Sequence, residues 1–251
     1  MINLNNKVIL ITGGSRGIGA ACVKLFSKAG ANVAFTFKSS KEAADELITK
    51  INLPNKIVSY QLDLGSELDI NQKVLQIESD FGKIDVLVNN AGIWKSGSVD
   101  NLSLQDWEET IKINLTSVFI LTKAVIPVMK KNRFGRIINI SSTAGQRGEP
   151  GFSHYAAAKG AIISFTKSLA VELADYNITT NAIAPGWVDT DMTKEIFSDK
   201  DYLDTIRRSI PVGRIAIPED IAGPVLFLAS DLARHINGEI INVNGGSILC
   251  G

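Results

Sequence analysis

The chain has 251 residues, of which 45% are hydrophobic and 21% are charged, as is typical of a globular protein. Lysine plus arginine and aspartate plus glutamate both number 26, so the net charge is zero and the balance does not favour nucleic acid or an anionic membrane as a partner. The length predicts one domain covering residues 1–251.

The sequence carries no pattern for export, for a membrane span or for a metal site. The N-terminal segment MINLNNKVILITGG lacks the basic region and cleavage site of a signal peptide. The richest apolar segment, SVFILTKAVIPVM, is short and contains Lys123. Cys22 and Cys250 are too few and too isolated for a disulfide framework or a metal site. These features predict a cytoplasmic protein without a bound metal.

Short β-rich segments alternate with longer helical patterns along the whole chain. Several of the β segments are almost wholly apolar, as expected of strands covered on both faces. The alternation therefore predicts an α/β fold with a parallel sheet between two layers of helices. The predicted strands are 7–12, 32–37, 56–62, 84–90, 135–141, 178–184 and 239–244. The predicted helices are 17–29, 40–52, 67–81, 103–132, 153–175 and 218–231.

One long irregular stretch, residues 186–217, follows the sixth predicted strand. Loops of this length in compact domains are often lids or binding loops. We expect weak helices there, mobility in the absence of a ligand, and a role as a loop or lid over the substrate.

A glycine-rich turn, ITGGSRGIGAA, joins the first predicted strand to the first helix. Gly13, Gly17 and Gly19 allow a sharp turn and a close approach of the backbone to a ligand. The helix N-terminus that follows offers free N–H groups and a positive dipole end to a pyrophosphate. Between a strand and a helix at the start of a βαβ unit, this pattern predicts a dinucleotide site.

The end of the second predicted strand indicates which dinucleotide binds. NAD sites usually place a carboxylate about 20 residues after the glycines, to accept from the ribose 2′-OH. Here Lys38 and Ser39 occupy that region, and Arg16 lies in the glycine turn. Cations and hydroxyls suit a 2′-phosphate, so we expect NADP(H) rather than NAD(H). The alternative is that Arg16 and Lys38 are solvated surface cations.

Tyr155 and Lys159, four residues apart in HYAAAKG, lie one turn apart on the same face of a predicted helix. A phenol with a pKa near ~10 is a poor acid or base at neutral pH, and an adjacent ammonium is expected to lower that pKa. Ser142, thirteen residues upstream of Tyr155, could steady the oxygen of a carbonyl or alcohol. The set is suited to moving a proton at a C–O group while a cofactor moves a hydride.

Taken together, TGGSRGIG (12–19), NNAG (89–92), Asn114, Ser142, YAAAK (155–159) and PG with Thr190 resemble the short-chain dehydrogenase/reductase family. The resemblance covers nearly the whole chain and, within the family, is strongest to the bacterial 3-ketoacyl-acyl-carrier-protein reductases. It implies a single-domain Rossmann-type doubly wound sheet of seven strands in the order 3-2-1-4-5-6-7, and a homotetramer.

The resemblance also implies a role for each matching residue. Tyr155 would be the general acid in reduction, with Ser142 orienting the carbonyl, Lys159 holding the nicotinamide ribose, and Asn114 holding a water that links Lys159 to solvent. The implied cofactor contacts are Gly13, Ser15, Arg16, Gly17, Ile18, Gly19, Lys38, Ser39, Asp63, Leu64, Asn90, Ala91, Gly92, Tyr155, Lys159, Pro185, Gly186, Val188 and Thr190.

Some of these residues have structural alternatives. Asp63 would bind the adenine amino group, or it caps a turn. Asn114, inside an apolar helix, is either part of the site or a hydrogen-bonded core amide. His154 is expected at the surface, and Trp187 is expected to border the substrate pocket.

Three functions stay open at this stage. The first is reduction of a 3-ketoacyl thioester by NADPH, with acyl carrier protein as a candidate partner for the basic segment Lys130, Lys131 and Arg133. Tyr176 stands where the resemblance predicts a second docking arginine, and the adjacent Asp175 would repel an acidic carrier. The second is action on a small ketone, sugar or polyol, and the third is a catalytically idle dinucleotide sensor.

Overall fold

The computed structural model describes residues 2–249, so Cys250 lies outside the described part of the chain. It contains one seven-stranded sheet in which every strand pair is parallel. The strand order is β3-β2-β1-β4-β5-β6-β7, which confirms the predicted topology. The strands are β1 (Val8–Ile11), β2 (Asn32–Phe37), β3 (Ile57–Gln61), β4 (Val86–Asn89), β5 (Gly135–Ile140), β6 (Ile178–Pro185) and β7 (Ile240–Val243).

The helices cover both faces of this sheet and agree closely with the predicted segments. They are α1 (Gly17–Lys28), α2 (Lys41–Ile51), α3 (Glu67–Phe81), α4 (Leu104–Ile111), α5 (Ser117–Asn132), α6 (Ala144–Arg147), α7 (Ser153–Glu172), α8 (Lys200–Ser209) and α9 (Pro218–Ala229). Short 3₁₀ turns follow α7, precede α8 and follow α9.

Two hydrophobic cores hold the helices on the sheet, one on each face. Phe26 of α1 and Val225 of α9 belong to one core, with alternate side chains of β1 and β2. Ile70 of α3, Val125 of α5 and Leu169 of α7 belong to the other. Because the strands are covered on both sides, most of their side chains are apolar, which is why the sequence shows continuous apolar segments there.

The predicted helix 103–132 is interrupted by a π-helical turn, Lys112–Thr116, between α4 and α5. Residues 104–132 are long enough to span a membrane, and an 18-residue window within them has a mean hydropathy of 1.5. Val118, Leu121, Val125, Val128 and Met129 are buried on one side of α5, within the protein core. That packing accounts for the hydrophobicity of the segment.

The chain reverses direction across the sheet between β1 and β4. From β1 it proceeds outward to β2 and β3, and then it returns to β4 on the other side of β1. The connections after β1 and β4 therefore diverge and leave a crevice at the carboxyl ends of these strands. Ligands of doubly wound sheets bind at such a crevice.

The stretch 186–217, where weak helices were expected, contains α8 and a 3₁₀ turn, Ile196–Ser198. Asp199 caps α8 by accepting hydrogen bonds from the backbone N–H groups of Asp201 and Tyr202. The start of the stretch is held by an isolated bridge between Val188 and Ala216. Its two ends thus lie together beside β6.

Cys22 is fully buried in α1, and burial raises the pKa of its thiol to about 12. A thiol in that state is unreactive at neutral pH. Among the described residues no group of acidic, histidine or cysteine side chains could hold a metal ion.

Candidate active site

A cavity of about 640 Å³ occupies the crevice at the carboxyl ends of the strands. It runs from the glycine turn after β1 to Ser142 after β5 and to the start of α7. Every site residue predicted from the sequence lines this cavity, except Gly19 and Asn114, which do not reach its surface.

The glycine turn forms a cradle that side chains would fill. Gly13 and Gly17 have φ values of +64° and +53°, which L-residues rarely adopt. A Cβ on Gly19 would lie 2.1 Å from the Gly13 carbonyl oxygen, so this glycine lets α1 pack directly on the turn. The first turn of α1 has no acidic residue and Arg16, its N-cap, makes no side-chain cap. The helix N-terminus therefore keeps its N–H groups and its positive end for an anion.

Asn90 ties the end of β4 to this turn. Its Nδ2 donates to the carbonyl oxygens of Thr12 at 2.8 Å and Gly13 at 3.2 Å. The Thr12 hydroxyl in turn accepts from the backbone N–H groups of Asn90 and Ala91, both at 3.0 Å. Thr12 was not predicted as a site residue, yet its hydroxyl fixes the spacing between the two sides of the crevice.

The far end of the cavity carries the two cations expected to select the cofactor. Arg16 pairs with Asp191 at 3.9 Å, and Lys38 pairs with Asp63 at 3.8 Å. All four side chains are more than half exposed, so these long pairs contribute little free energy and can exchange partners readily. Asp63 also accepts from the Gly65 N–H at 2.9 Å, which is the turn role that the sequence left open for it.

Ser142, Tyr155 and Lys159 converge at the inner end of the cavity. Ser142 follows β5, and the other two side chains come from successive turns of α7. The Lys159 ammonium donates to the Ile140 carbonyl at 2.7 Å and lies 5.7 Å from the centre of the Tyr155 ring. The Ser141 hydroxyl donates to the Lys159 carbonyl at 2.8 Å, which fixes α7 to the end of β5.

The pKa of Tyr155 differs from the sequence-based expectation of a lowered value. Burial, aided by the charge of Glu149, raises the pKa of Tyr155 to about 12, while hydrogen bonding by Ser142 acts in the opposite direction. Burial also lowers the pKa of Lys159 to about 8. The expectation was wrong for this state because desolvation of the phenol outweighs an ammonium that is bound to Ile140 instead of to the phenol.

Asn114 lies in the π-helical turn and is fully buried. Its Oδ1 accepts from the Ile93 N–H and its Nδ2 donates to the Ile93 carbonyl, both at 2.8 Å. A Cβ on Gly92 would lie 3.0 Å from Asn114 Oδ1 and 3.7 Å from Lys159 Nζ, so both side chains converge on Gly92. Asn114 is thus a satisfied core amide that also lies close to Lys159, and the π-turn places it there.

Two tryptophans line the cavity and each contacts a phenylalanine, and of these four residues only Trp187 was expected from the sequence. Trp187 and Trp94 line the cavity at a centroid distance of 6.0 Å with an interplanar angle of 84°. Phe152 stacks on Trp94, and Phe197 contacts Trp187. Contacts between residues from four separate loops and helices leave no local pattern in the sequence.

His154 is fully buried, which corrects the prediction of a surface position. It precedes Tyr155 on the side of α7 that packs against α4, and burial lowers the pKa of its imidazole. Asp106 and the backbone of Lys95 act in the opposite direction, while the Lys95 charge lowers the pKa. Helix packing, which a single helix pattern does not reveal, decides this burial.

The basic segment expected to dock a carrier lies far from the cavity along the sheet. Lys130 and Lys131 end α5, and Arg133 follows, just before β5 begins. Ser142 follows the opposite end of β5. The segment and the cavity are therefore at opposite ends of this strand.

Two of these cations already contact the neighbouring turn. Lys130 Nζ lies 4.2 Å from the centre of the Tyr176 ring. Arg133 donates to the Asp175 carbonyl at 2.9 Å. Tyr176, which replaces the expected arginine, thus packs against the predicted patch.

The observed cavity fits a nicotinamide dinucleotide. Three glycines leave space for a pyrophosphate at a helix N-terminus, and a proton-transfer set lies at the other end. Such a sheet and site define an oxidoreductase that acts on CH–OH or C=O groups.

Comparisons with known proteins agree with this class. A family model described as enoyl-(acyl carrier protein) reductase matches residues 13–247. The 3-oxoacyl-[acyl-carrier-protein] reductase of Aquifex aeolicus is 43% identical over 98% of both chains. The Escherichia coli enzyme of the same name is 40% identical over 98% of both. The chain belongs to the short-chain dehydrogenase/reductase family.

Solved structures show the same fold. A Beutenbergia cavernae protein, provisionally named an NAD(P)-dependent gluconate 5-dehydrogenase and holding NADP at low occupancy, has a TM-score of 0.92 and 33% identity over 98% of both chains. A levodione reductase has a TM-score of 0.92 and 30% identity, covering 97% of this chain and 98% of its own.

Proposed function

We propose that the protein is an NADPH-dependent reductase that converts the 3-oxo group of an acyl thioester to a secondary alcohol, the reductive step that 3-oxoacyl reductases supply to fatty acid biosynthesis. The observation that carries the proposal is the convergence of Ser142, Tyr155 and Lys159 in one cavity with the glycine cradle. The full-length identity of 40–43% to reductases named for 3-oxoacyl substrates supports the substrate class.

The residues of the site have distinct roles in the proposed reduction. When bound, the dinucleotide supplies the hydride. Ser142 orients the carbonyl oxygen, and Tyr155 donates the proton to that oxygen. The raised pKa of Tyr155 keeps the phenol protonated at neutral pH, so the proton to be donated is present, but a pKa this far above neutral opposes its release. Lys159, with Asn114 close by, serves the ribose and the path that replaces the proton.

NADP(H) is the proposed cofactor because Arg16 and Lys38 border the cavity where a 2′-phosphate would lie. Their exposed partners, Asp191 and Asp63, are loosely held and would yield to a dianion. The NADP in the Beutenbergia cavernae structure supports the same choice.

We further propose that residues 1–251 act as one catalytic domain, with 186–217 as the segment that covers the substrate, in a cytoplasmic homotetramer. Phe119 on α5 and Val171 on α7 support assembly, because both are apolar and exposed. Acyl carrier protein remains the proposed thioester carrier, although Tyr176 and Asp175 alter the patch that would receive it.

The test is NADPH oxidation with acetoacetyl groups carried on acyl carrier protein and on coenzyme A, beside a panel of simple ketones, sugars and polyols. We expect both thioesters to be reduced faster than any of the simple ketones, sugars and polyols. Preference for the protein-bound thioester supports the carrier. Faster reduction of a sugar or simple ketone would establish the second function instead. No turnover on any compound, together with tight NADPH binding, would indicate a sensor.

A further inference from the structure

Trp94 and Trp187 form a corner beside the expected position of the reacting carbonyl, and we refer to these two residues as the aromatic corner. Both line the cavity, both are partly exposed, and their planes are nearly perpendicular. Trp187 lies between Gly186 and Val188, two of the expected cofactor contacts. Trp94 lies two residues after Gly92, where an added Cβ would be 3.7 Å from Nζ of Lys159, the residue expected to hold the nicotinamide ribose. The corner is therefore adjacent to the nicotinamide end of the cavity.

The two indoles are held by further rings. Phe152 stacks on Trp94 at a centroid distance of 4.3 Å and an angle of 6°, which covers one face of that indole. Phe197 lies 5.9 Å from Trp187 with the planes tilted by 55°. A surface fixed in this way loses little conformational entropy on binding. Aromatic faces also favour contact with another flat ring.

The charged groups around the corner are already paired. Arg147 and Glu149, which line the same cavity, are 2.5 Å apart. Lys95 pairs with Glu109 at 2.5 Å and with Asp106 at 3.3 Å. A polyol would need fixed donors and acceptors for its hydroxyl groups. Because these ions are paired with one another, the uncharged indole rings beside them offer a surface that suits an apolar group.

We propose that the aromatic corner supports the reduction of 3-oxo thioesters that carry an aromatic ring on the carbonyl carbon, in addition to the linear 3-oxoacyl thioesters of the proposed function. This inference rests on the proposed reductase function of the same site. A ring would stack in the corner next to the hydride donor, whereas a linear chain presents no flat face to either indole.

The test compares N-acetylcysteamine thioesters of 3-oxo-3-phenylpropanoate, 3-oxobutanoate and 3-oxododecanoate in the wild type and in Trp94→Ala. The readout is the kcat/KM of each thioester divided by the kcat/KM of the 3-oxobutanoate thioester. Comparing these ratios between variants cancels differences in the intrinsic reactivity of the substrates. The phenyl ratio should fall at least tenfold in Trp94→Ala, while the dodecanoyl ratio changes less than threefold. Trp94→Phe, which keeps a ring at this position, should retain most of the wild-type ratio for the phenyl substrate.

Trp107→Ala is the matched control, because Trp107 lies on α4 outside the cavity. It should leave every ratio unchanged, and NADPH binding should report that each variant is folded. An unchanged phenyl ratio in Trp94→Ala, or an equal fall for the linear chain, overturns the inference but leaves the reductase function standing. Failure of the wild type to reduce any of the thioesters overturns both.

Discussion

Asn114 and Ile93 exchange two hydrogen bonds of 2.8 Å, in which one side-chain amide pairs with both polar groups of one backbone residue. The pair joins the π-helical turn between α4 and α5 to the loop that follows β4. That loop carries Gly92 and Trp94, one at each side of Ile93. A single amide thus sets the position of the cavity wall without lining the cavity.

Asn114→Ala should lower the free energy of unfolding by about 2–4 kcal/mol, because it leaves a backbone N–H and a C=O unpaired in a buried site. Urea unfolding monitored by circular dichroism measures the change. Asn101→Ala is the control, since Asn101 bonds only to Ser98 on the exposed surface. Equal stability of the two variants would refute a structural role for the Asn114 pair.

Tyr155→Phe should reduce kcat by about 10²–10⁴-fold, because it removes the proton donor and keeps the ring. The dissociation constant for NADPH should change less than threefold, which fluorescence titration can measure. Tyr60→Phe is the control, because the Tyr60 hydroxyl bonds to Asp80 outside the cavity, and it should leave both values unchanged. Retention of more than a few per cent of the activity in Tyr155→Phe would exclude Tyr155 as the donor.

The lowered pKa of Lys159 predicts that the folded protein becomes more stable as the pH rises from 8 to 10.5. This pKa is about 8 in the folded protein against 10.5 for an ordinary lysine. Between these values the unfolded chain keeps a proton that the folded chain has lost, so the free energy of unfolding increases by at most about 3 kcal/mol. Below pH 8 both states are protonated and the slope vanishes. Urea unfolding of the wild type and Lys159→Met at pH 8 and 10.5 isolates this contribution, and parallel behaviour of the two proteins would contradict it.

Arg16 and Lys38 should decide between the two nicotinamide dinucleotides. Replacing both by alanine should raise KM for NADPH by about tenfold or more and leave KM for NADH nearly unchanged, because charge-assisted bonds to the 2′-phosphate are lost. Steady-state kinetics with each cofactor provides the measurement. Lys41→Ala is the control, since Lys41 pairs with Asp45 and lies outside the cavity. A parallel rise for both cofactors would assign the cations a general role.

The fold was predictable because its strands have a strong local signature. All seven strands begin and end within two residues of their predicted limits, and their order follows the family resemblance. The π-turn at Lys112–Thr116 was not predictable, because an extra residue in a helical turn leaves the apolar pattern on both sides intact. The four-residue helix α6 was also missed, since it is too short to show periodicity.

At the site, the sequence predicted which residues take part better than it predicted their burial, their contacts and their pKa values. Gly13, Ser142 and Tyr155 were found from motifs, and the structure brings them to one cavity. The burial of His154 and the stacking of Trp94 on Phe152 depend on contacts between distant segments. The pKa of Tyr155 likewise depends on how completely the folded chain removes water from the phenol, which spacing along a helix does not determine.

The exposure of Arg16 and Lys38 affects how readily they can be replaced. Their side chains are 67% and 71% exposed, so mutating them disturbs no core packing and costs the fold little. Replacing the two cations that are proposed to select NADPH should therefore require no compensating mutation in the core. Trp94 and Trp187, by contrast, pack against Phe152 and Phe197, so a substitution in the aromatic corner disturbs neighbouring rings.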